Sequence, residues 1–354
     1  MLPTLHSAIR RNLLRWYKNN KRDLSWRGTR DPYAVWISET MLQQTQVNTV
    51  IPYYEKFMSR FPGVDELARA PLPKVLRLWS GLGYYRRAEN LRQAAQQIVR
   101  LHDGEIPRDF AQLRALAGIG DYTAGALLSI AFGKPYPAID GNARRVLGRV
   151  LRITSEPALR AAAEELISRS QPGEFNQALM DLGATICTPK NQRCADCPIN
   201  SLCASRSRPH APSTLGSRRP LTFKNVVWPL AIVRHHGKIL LRRRATNGLL
   251  AGLWELPGNE LKGKQSLAAL FGNELKGAQL SFTRPEKLGE IRHAITHRRI
   301  WAPVYLLDLT GNRRARVPLA GWRWIAPENL QELATSSMTV KALAIFSNHE
   351  KNLR

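Results

Sequence analysis

A chain of 354 residues has room for two ordinary domains, and a hydrophobic content of 44% is that of a globular protein. Its 53 lysines and arginines against 27 acidic residues leave a formal net charge of +26, which favours polyanions as partners and speeds their encounter. No apolar run approaches the roughly 18 residues of a membrane span, and the N-terminus, Met1 to Arg10, lacks a signal-peptide core. A membrane is therefore set aside, and a cytoplasmic, nucleoid-associated protein bound to nucleic acid is expected.

Residues 5–20 read as a basic amphipathic helix. Asp31-Pro32 opens the next, over 33–47, because Asp caps a helix and Pro suits its first position. That helix is apolar on nearly every side and should be buried, yet Glu39 lies in it among Val35, Trp36 and Leu42. Further helices are expected at 49–60, 64–69, 73–80, 84–101, 109–117, 121–132, 141–151, 156–170 and 173–187, joined by short Gly- and Pro-rich connections. With no strand alternation before about residue 220, the first two hundred residues read as all-helical.

Within them, Gly118-Ile119-Gly120 forms a tight turn between two helices, for which glycine supplies the positive φ. The helix that starts near Asp121 leaves unpaired N–H groups facing outward, as a phosphate-backbone grip requires. Asp140 follows at another helix start. Taken alone, a Gly-x-Gly turn is more often a plain connection between core helices.

All four cysteines fall between Cys187 and Cys203, which argues against a secreted disulfide scaffold. Cys187, Cys194, Cys197 and Cys203 are spaced to wrap one centre, either zinc or a 4Fe–4S cluster; the 6-2-5 spacing favours iron–sulfur over the paired spacing usual for zinc. Lys190 and Arg193 in this loop are available to a phosphate backbone. Residues 205–222 read as a basic, semi-extended linker. Beyond it, β-rich runs at 226–233, 238–243, 300–309 and 322–325, with helices near 265–276 and 327–334, indicate an α+β domain. The domains expected are thus 1–204, a helical catalytic domain, and 223–354.

The hairpin turn, Asp140 and the 6-2-5 cysteine loop together resemble the endonuclease III superfamily of base-excision glycosylases. Within it, the stretches Trp36–Val47 and Gly81–Arg86 and the second domain resemble the MutY-type adenine DNA glycosylases. The resemblance covers nearly the whole chain. It implies an all-α helix-hairpin-helix glycosylase domain carrying one 4Fe–4S cluster, followed by a Nudix-like domain. It also implies excision of adenine mispaired with 8-oxoguanine, and with guanine, from duplex DNA. The protein is then expected as a monomer on such DNA, with a sliding clamp or other repair proteins as further candidate partners.

The chemistry follows from the reaction. The enzyme must flip the nucleotide out of the stack. Breaking the glycosidic bond then calls for a proton donor to the base and an anion facing the sugar cation. Glu39, desolvated in its helix, suits the acid; Asp140, at a helix N-terminus, is expected to stay ionised and stabilise the cation. By resemblance, Tyr122 occupies the position where lyase-competent relatives carry a Schiff-base lysine. It is expected to order Asp140 or the leaving base, with Asn142 orienting water or Asp140, so the enzyme should be monofunctional. Also by resemblance, Gln43, Gln44 and Tyr84 wedge into the opened stack, and Gly118 and Gly120 grip the backbone. Arg27 and Leu42 line the adenine pocket, and Ile295, Thr296 and His297 read 8-oxoguanine where the family has Phe-Ser-His. Gly248–Gly258 resembles the start of a Nudix fold, but residues 259–280 lack the Arg-Glu-x-x-Glu-Glu that would hold Mg²⁺, so pyrophosphate hydrolysis is not expected. A bifunctional glycosylase and abasic lyase, or a non-catalytic lesion-binding protein, are the alternatives.

Overall fold

The computed structural model describes residues 2–207, 222–245, 248–276, 280, 282, 284–309 and 320–352. The chain divides into two compact units, Met1–Ala70 with Arg86–Arg219, and Pro71–Tyr85 with Pro220–Arg354. The second unit thus takes in a stretch from well inside the first two hundred residues. Most of the linker expected at 205–222 lies outside the described residues.

The first unit is helical. Its helices are α1 (Leu2–Asn20), α2 (Pro32–Leu42), α3 (Val47–Arg60) and α4 (Val64–Arg69); α5 (Leu72–Trp79) belongs to the second unit. The series continues with α6 (Arg86–Leu101), α7 (Phe110–Ala115), α8 (Asp121–Ala126), α9 (Gly141–Val150), α10 (Glu156–Leu166) and α11 (Pro172–Thr185). Asp31 caps α2 as its sequence implies, accepting from Tyr33 N and Ala34 N at 3.0 and 3.3 Å. One core cluster joins Ile9 and Leu13 of α1 to Val146 and Leu147 of α9, Leu159 of α10, and Phe175 and Leu182 of α11.

Two helices end differently from the reading above. The helix expected over 33–47 stops at Leu42, and Gln44 takes φ +60 before α3 begins. The stop is tertiary: Arg87 Nη1 donates to the carbonyls of Thr40, Met41 and Gln43 at 2.9, 2.9 and 2.6 Å, satisfying the carbonyls that a longer helix would have used. The helix expected over 121–132 is α-helical only to Ala126 and then widens into a π-turn over Leu127–Ala131. There, a Cβ on Gly173 would lie 2.9 Å from Ser129 O, so α11 can approach this widened turn only with glycine at that position.

The second unit is built on a seven-stranded mixed sheet of β1 (Lys224–Val227), β2 (Leu230–His235), β3 (Lys238–Arg243), β4 (Trp254–Glu255), β5 (Glu286–Ile295), β6 (Arg298–Asp308) and β7 (Trp322–Ile325). Their order is β1-β6-β2-β3-β4, with β5 paired to β6 and β7 to β3. Helices α12 (Leu267–Leu275) and α13 (Ser337–Asn352) accompany the sheet. Along β2, Ile232 joins the core cluster that holds Met338, Ala342 and Phe346 of α13. Ala231 and Val233 join the one that holds Leu270 and Phe271 of α12. Burial on both faces is why β2 reads as an unbroken apolar run. The strand expected over 226–233 is two strands, because Pro229 has no N–H for the ladder. The helix expected near 327–334 is a 3₁₀ turn, Pro327–Glu332, and the long helix lies after it in α13.

Candidate active site and cysteine pocket

Glu39 sits on the buried α2, which comes from its apolar sequence, and Tyr122 stands one residue into α8. The phenol of Tyr122 donates to Glu39 Oε2. Burial pushes the Glu39 carboxyl up from the ordinary value; the Tyr122 hydrogen bond and the charges of Arg27 and Arg22 pull it down, while Asp140 pushes it further up. The Tyr122 phenol is itself driven up, first by burial and then by Glu39 and Asp140. Tyr122 thus holds Glu39 by a hydrogen bond, a partner that the expected role at Asp140 or the leaving base did not name.

Asp140 is the N-cap of α9. It accepts from Ala143 N at 2.6 Å and from Asn142 Nδ2 at 2.9 Å. These bonds favour its charged form, as expected at a helix start, yet burial outweighs them and its carboxyl is also raised. The donors expected at a helix start are present, and desolvation acts against them. Asn142 is fixed in turn by Arg145 Nη2 at 2.8 Å. A Cβ on Gly183 would lie 2.6 Å from that of Asn142, so α11 packs directly against the turn that carries Asp140 and Asn142.

The hairpin Gly118-Ile119-Gly120 needs only one of its glycines for conformation. Gly118 has φ +74, and a Cβ there would sit 2.6 Å from Asn90 Cβ; Gly120 has φ −91, with nothing within 4 Å of an added Cβ. Arg114 braces the turn, donating to Ile119 O at 2.6 Å and pairing with Asp121 at 2.6 Å.

Of the residues expected to open the stack, Gln43 is half-buried with its amide donating to Thr123 Oγ1 at 3.2 Å, whereas Gln44 is exposed. Leu42 is half-buried at the end of α2. Arg27 is nine-tenths buried: Nη1 donates to Tyr17 OH at 3.1 Å and to Gln177 Oε1, and Nη2 to Asp181 Oδ1 at 3.0 Å. Its Nε, and Nε1 of neighbouring Trp26, are buried with no partner among the described residues. Sequence reasoning missed Asp181, Gln177 and Arg22. For Asp181 the signal was available, since it is an acid inside an apolar helix just as Glu39 is.

The four cysteines are free and line one pocket together with Val146, Val150, Leu182 and Ile186. Arg149 Nη1 lies 3.4 Å from Cys187 Sγ and donates to Thr188 O at 2.8 Å. Burial pushes the Cys197 thiol up to about 11, and the other three cysteines add to the rise. Among the described residues, no group of three or more His, Cys, Asp or Glu is placed to hold a single metal ion. Lys190 and Arg193 are exposed on the loop, and Arg193 also pairs with Asp196 at 3.7 Å.

In the second unit, Tyr84 is 48% exposed at φ +48, next to Tyr85, whose hydroxyl donates to Thr335 O at 3.0 Å. Ile295 ends β5 opposite Arg298 of β6, and Thr296-His297 is the two-residue turn between them, exposed at its tip. Thr296 has φ +53, a left-handed conformation that a β-branched residue adopts only under strain.

Residues 37–171 match the HhH-GPD superfamily of base excision DNA repair proteins, and residues 229–344 match the NUDIX domain. The adenine DNA glycosylase of Rattus norvegicus is 37% identical over 98% of this chain and 79% of its own length, and that of Homo sapiens is 35% identical over 97% and 75%. Among solved structures, a thermostable thymine-DNA glycosylase superposes with a TM-score of 0.55 at 28% identity, covering 58% of this chain and 99% of the glycosylase.

Proposed function

Because this chain belongs to the adenine DNA glycosylase family, an enzyme family of base excision repair, we propose how its residues divide the work on duplex DNA. The substrate is adenine mispaired with 8-oxoguanine, or with guanine, and the product is an abasic site in an unbroken strand. Glu39 donates a proton to the departing base. Asp140, held by Ala143 N and Asn142, faces the sugar as positive charge develops there, and water completes the hydrolysis. The observation that carries this reading is the buried Glu39 bonded to the Tyr122 phenol: a carboxyl whose neutral form burial favours, beside a side chain that cannot form an imine.

Gln43, Gln44 and Tyr84 fill the opened stack, Arg27 and Leu42 line the base pocket, and the hairpin at Gly118 and Gly120, with Lys190 and Arg193, holds the backbone. The Ile295–His297 turn reads the lesion. Four thiols around one largely apolar pocket, with a guanidinium at Cys187, suit a 4Fe–4S cluster, and Cys187, Cys194, Cys197 and Cys203 would hold it. When bound, it supplies a brace: the cysteine loop is already tied to α9 through Ala204 N to Val150 O at 2.9 Å and Ser205 Oγ to Arg149 O at 2.7 Å.

The test is single-turnover reaction of a duplex with adenine opposite 8-oxoguanine, read before and after alkali, with borohydride added in parallel. Strand cleavage only after alkali and no trapped adduct are expected. A borohydride-trapped enzyme would overturn the monofunctional reading, and absence of adenine release would overturn the whole.

A further inference from the structure

Two non-glycine residues of the second unit, each at a place assigned to the lesion, hold a left-handed backbone: Tyr84 at φ +48 and Thr296 at φ +53. Such a conformation persists only where the surroundings enforce it. The start of α13 bonds to what surrounds each of them.

Around Tyr84 the chain closes on itself. Trp79 Nε1 donates to Gly83 O at 3.1 Å, and Gly81 N donates to the Tyr85 hydroxyl at 3.3 Å. That hydroxyl donates in turn to Thr335 O at 3.0 Å, and Ser80 Oγ donates to the same oxygen at 2.7 Å. The carbonyl is open to them because α13 does not use it. Thr339 N, which would otherwise reach back to it, is taken by the side chain of Ser336 at 3.2 Å, and the helical ladder begins with Val340 N on Ser336 O. Thr335 is 3% exposed, so its carbonyl needs partners from the protein, and the turn over 80–85 supplies two hydroxyls.

Two residues further on, Ser337 Oγ lies 3.4 Å from His293 Nε2 on β5. Along that strand, an added Cβ on Gly289 would lie 3.1 Å from Ile345 Cγ2 of α13. Ile291 is part of the core cluster of Met338 and Leu343, and Ile295 packs against it. β5 thus rests on α13 as far as its last residue, which immediately precedes Thr296.

We propose that Thr335–Ser337 is a positioning junction for the recognition of 8-oxoguanine. Through Ser80 and Tyr85 it fixes the Tyr84 wedge, through His293 it fixes the turn at Ile295–His297, and it thereby sets one spacing between the two. Tyr85 and Ser337 are its positioning residues. The proposal rests on the reading that Tyr84 enters the opened stack and that this turn meets the lesion. Guanine and 8-oxoguanine differ only in the oxygen at C8 and the hydrogen on N7, so telling them apart depends on hydrogen bonds that weaken steeply with misplacement. Filling space in the stack is far more tolerant. Loosening the junction should therefore cost preference more than it costs the reaction itself.

The test is single-turnover excision of adenine opposite 8-oxoguanine and opposite guanine, read as the ratio of the two rates. Tyr85→Phe removes one hydroxyl of the junction and keeps the ring; Ser337→Ala removes the hydroxyl that faces β5. Each loses one hydrogen bond, so each should lower the ratio about three- to tenfold, through the 8-oxoguanine duplex. Releasing either end already loses the spacing, so the double variant should fall little below the lower single one. A purely structural role slows both duplexes by the same factor and leaves the ratio intact. An unchanged ratio in either single variant, or a double variant whose effect is the product of the two, would overturn the proposal. If Tyr85→Phe does not fold, Ser337→Ala still decides. Thr296→Gly run alongside separates the two levels: an unchanged ratio there removes the reader on which the proposal rests, whereas a lowered ratio there beside unchanged ones in Tyr85→Phe and Ser337→Ala removes the junction alone.

Discussion

Replacing Glu39 by Gln tests the acid and its environment together. The amide keeps the volume of the side chain and its oxygen still accepts from the Tyr122 phenol, so neither packing nor that hydrogen bond is lost. What disappears is a proton that can be given away. Loss of a positioned general acid costs about 10²–10⁴ in rate, so single-turnover adenine release should fall at least about a hundredfold. Stability should move in the opposite direction, with a definite pH dependence. The folded carboxyl titrates above the ordinary value of 4.5, because burial outweighs the Tyr122 bond and the arginines. Below that value both folded and unfolded chains are protonated at this position and it contributes no difference. As pH rises, the unfolded chain ionises first while the folded one keeps its proton. Wild type therefore loses about 1.4 kcal/mol per pH unit until the folded group also ionises. Glutamine has no such loss, so the variant should gain stability over wild type as pH is raised from the ordinary carboxyl range. Denaturant unfolding at pH 5 and pH 8 measures the gain, and the excision assay measures the rate. Near-wild-type excision, or a stability difference that is the same at both pH values, would refute the reasoning.

The hairpin glycines should separate fold from binding. Gly118→Ala forces a left-handed alanine against Asn90 and should cost at least about 1–2 kcal/mol, seen as a lowered melting temperature. Gly120→Ala should leave the melting temperature unchanged, since nothing lies within 4 Å of an added Cβ, but weaken duplex binding if the hairpin grips the backbone as proposed; unaltered binding would argue against that grip. Thr296→Gly removes left-handed strain of the order of 1 kcal/mol, so it should not destabilise the protein despite deleting a side chain, while the preference for adenine opposite 8-oxoguanine over adenine opposite guanine should fall. Cys197→Ser should lower both the iron content of the purified protein and its melting temperature; full iron occupancy would remove Cys197 from the proposed cluster.

What was legible in the sequence was whatever is decided locally. Asp31-Pro32 starts a helix by its own chemistry, and the continuous apolar run of β2 follows from burial on both faces. Glu39 could be singled out for the same reason, as a charge in a segment with no polar face to put it on. What is decided by distant residues was not legible. The end of α2 depends on Arg87, more than forty positions away in the chain, and the helical pattern itself ran on to Val47. The π-turn after α8 owes its packing to Gly173 on another helix. The break at Pro229 and the long final helix show the converse, local signals that an apolar run and a nearby Pro-Glu-Asn stretch outweighed.

The two carboxyls show why pKa is harder to read than position. The sequence places one acid in an apolar helix and one at a helix start, which suggests opposite shifts. Folding buries both, and both rise. The difference between them survives in their partners. Asp140 accepts from a backbone N–H and an amide, both of which favour the anion, and has the charge of Arg145 nearby. Glu39 has one phenol, whose own proton is held tightly, and the charges of Arg27 and Arg22. A negative charge on Asp140 raises Glu39 further. The proposed division between acid and anion is then a property of the pair, because charge on Asp140 favours the proton on Glu39.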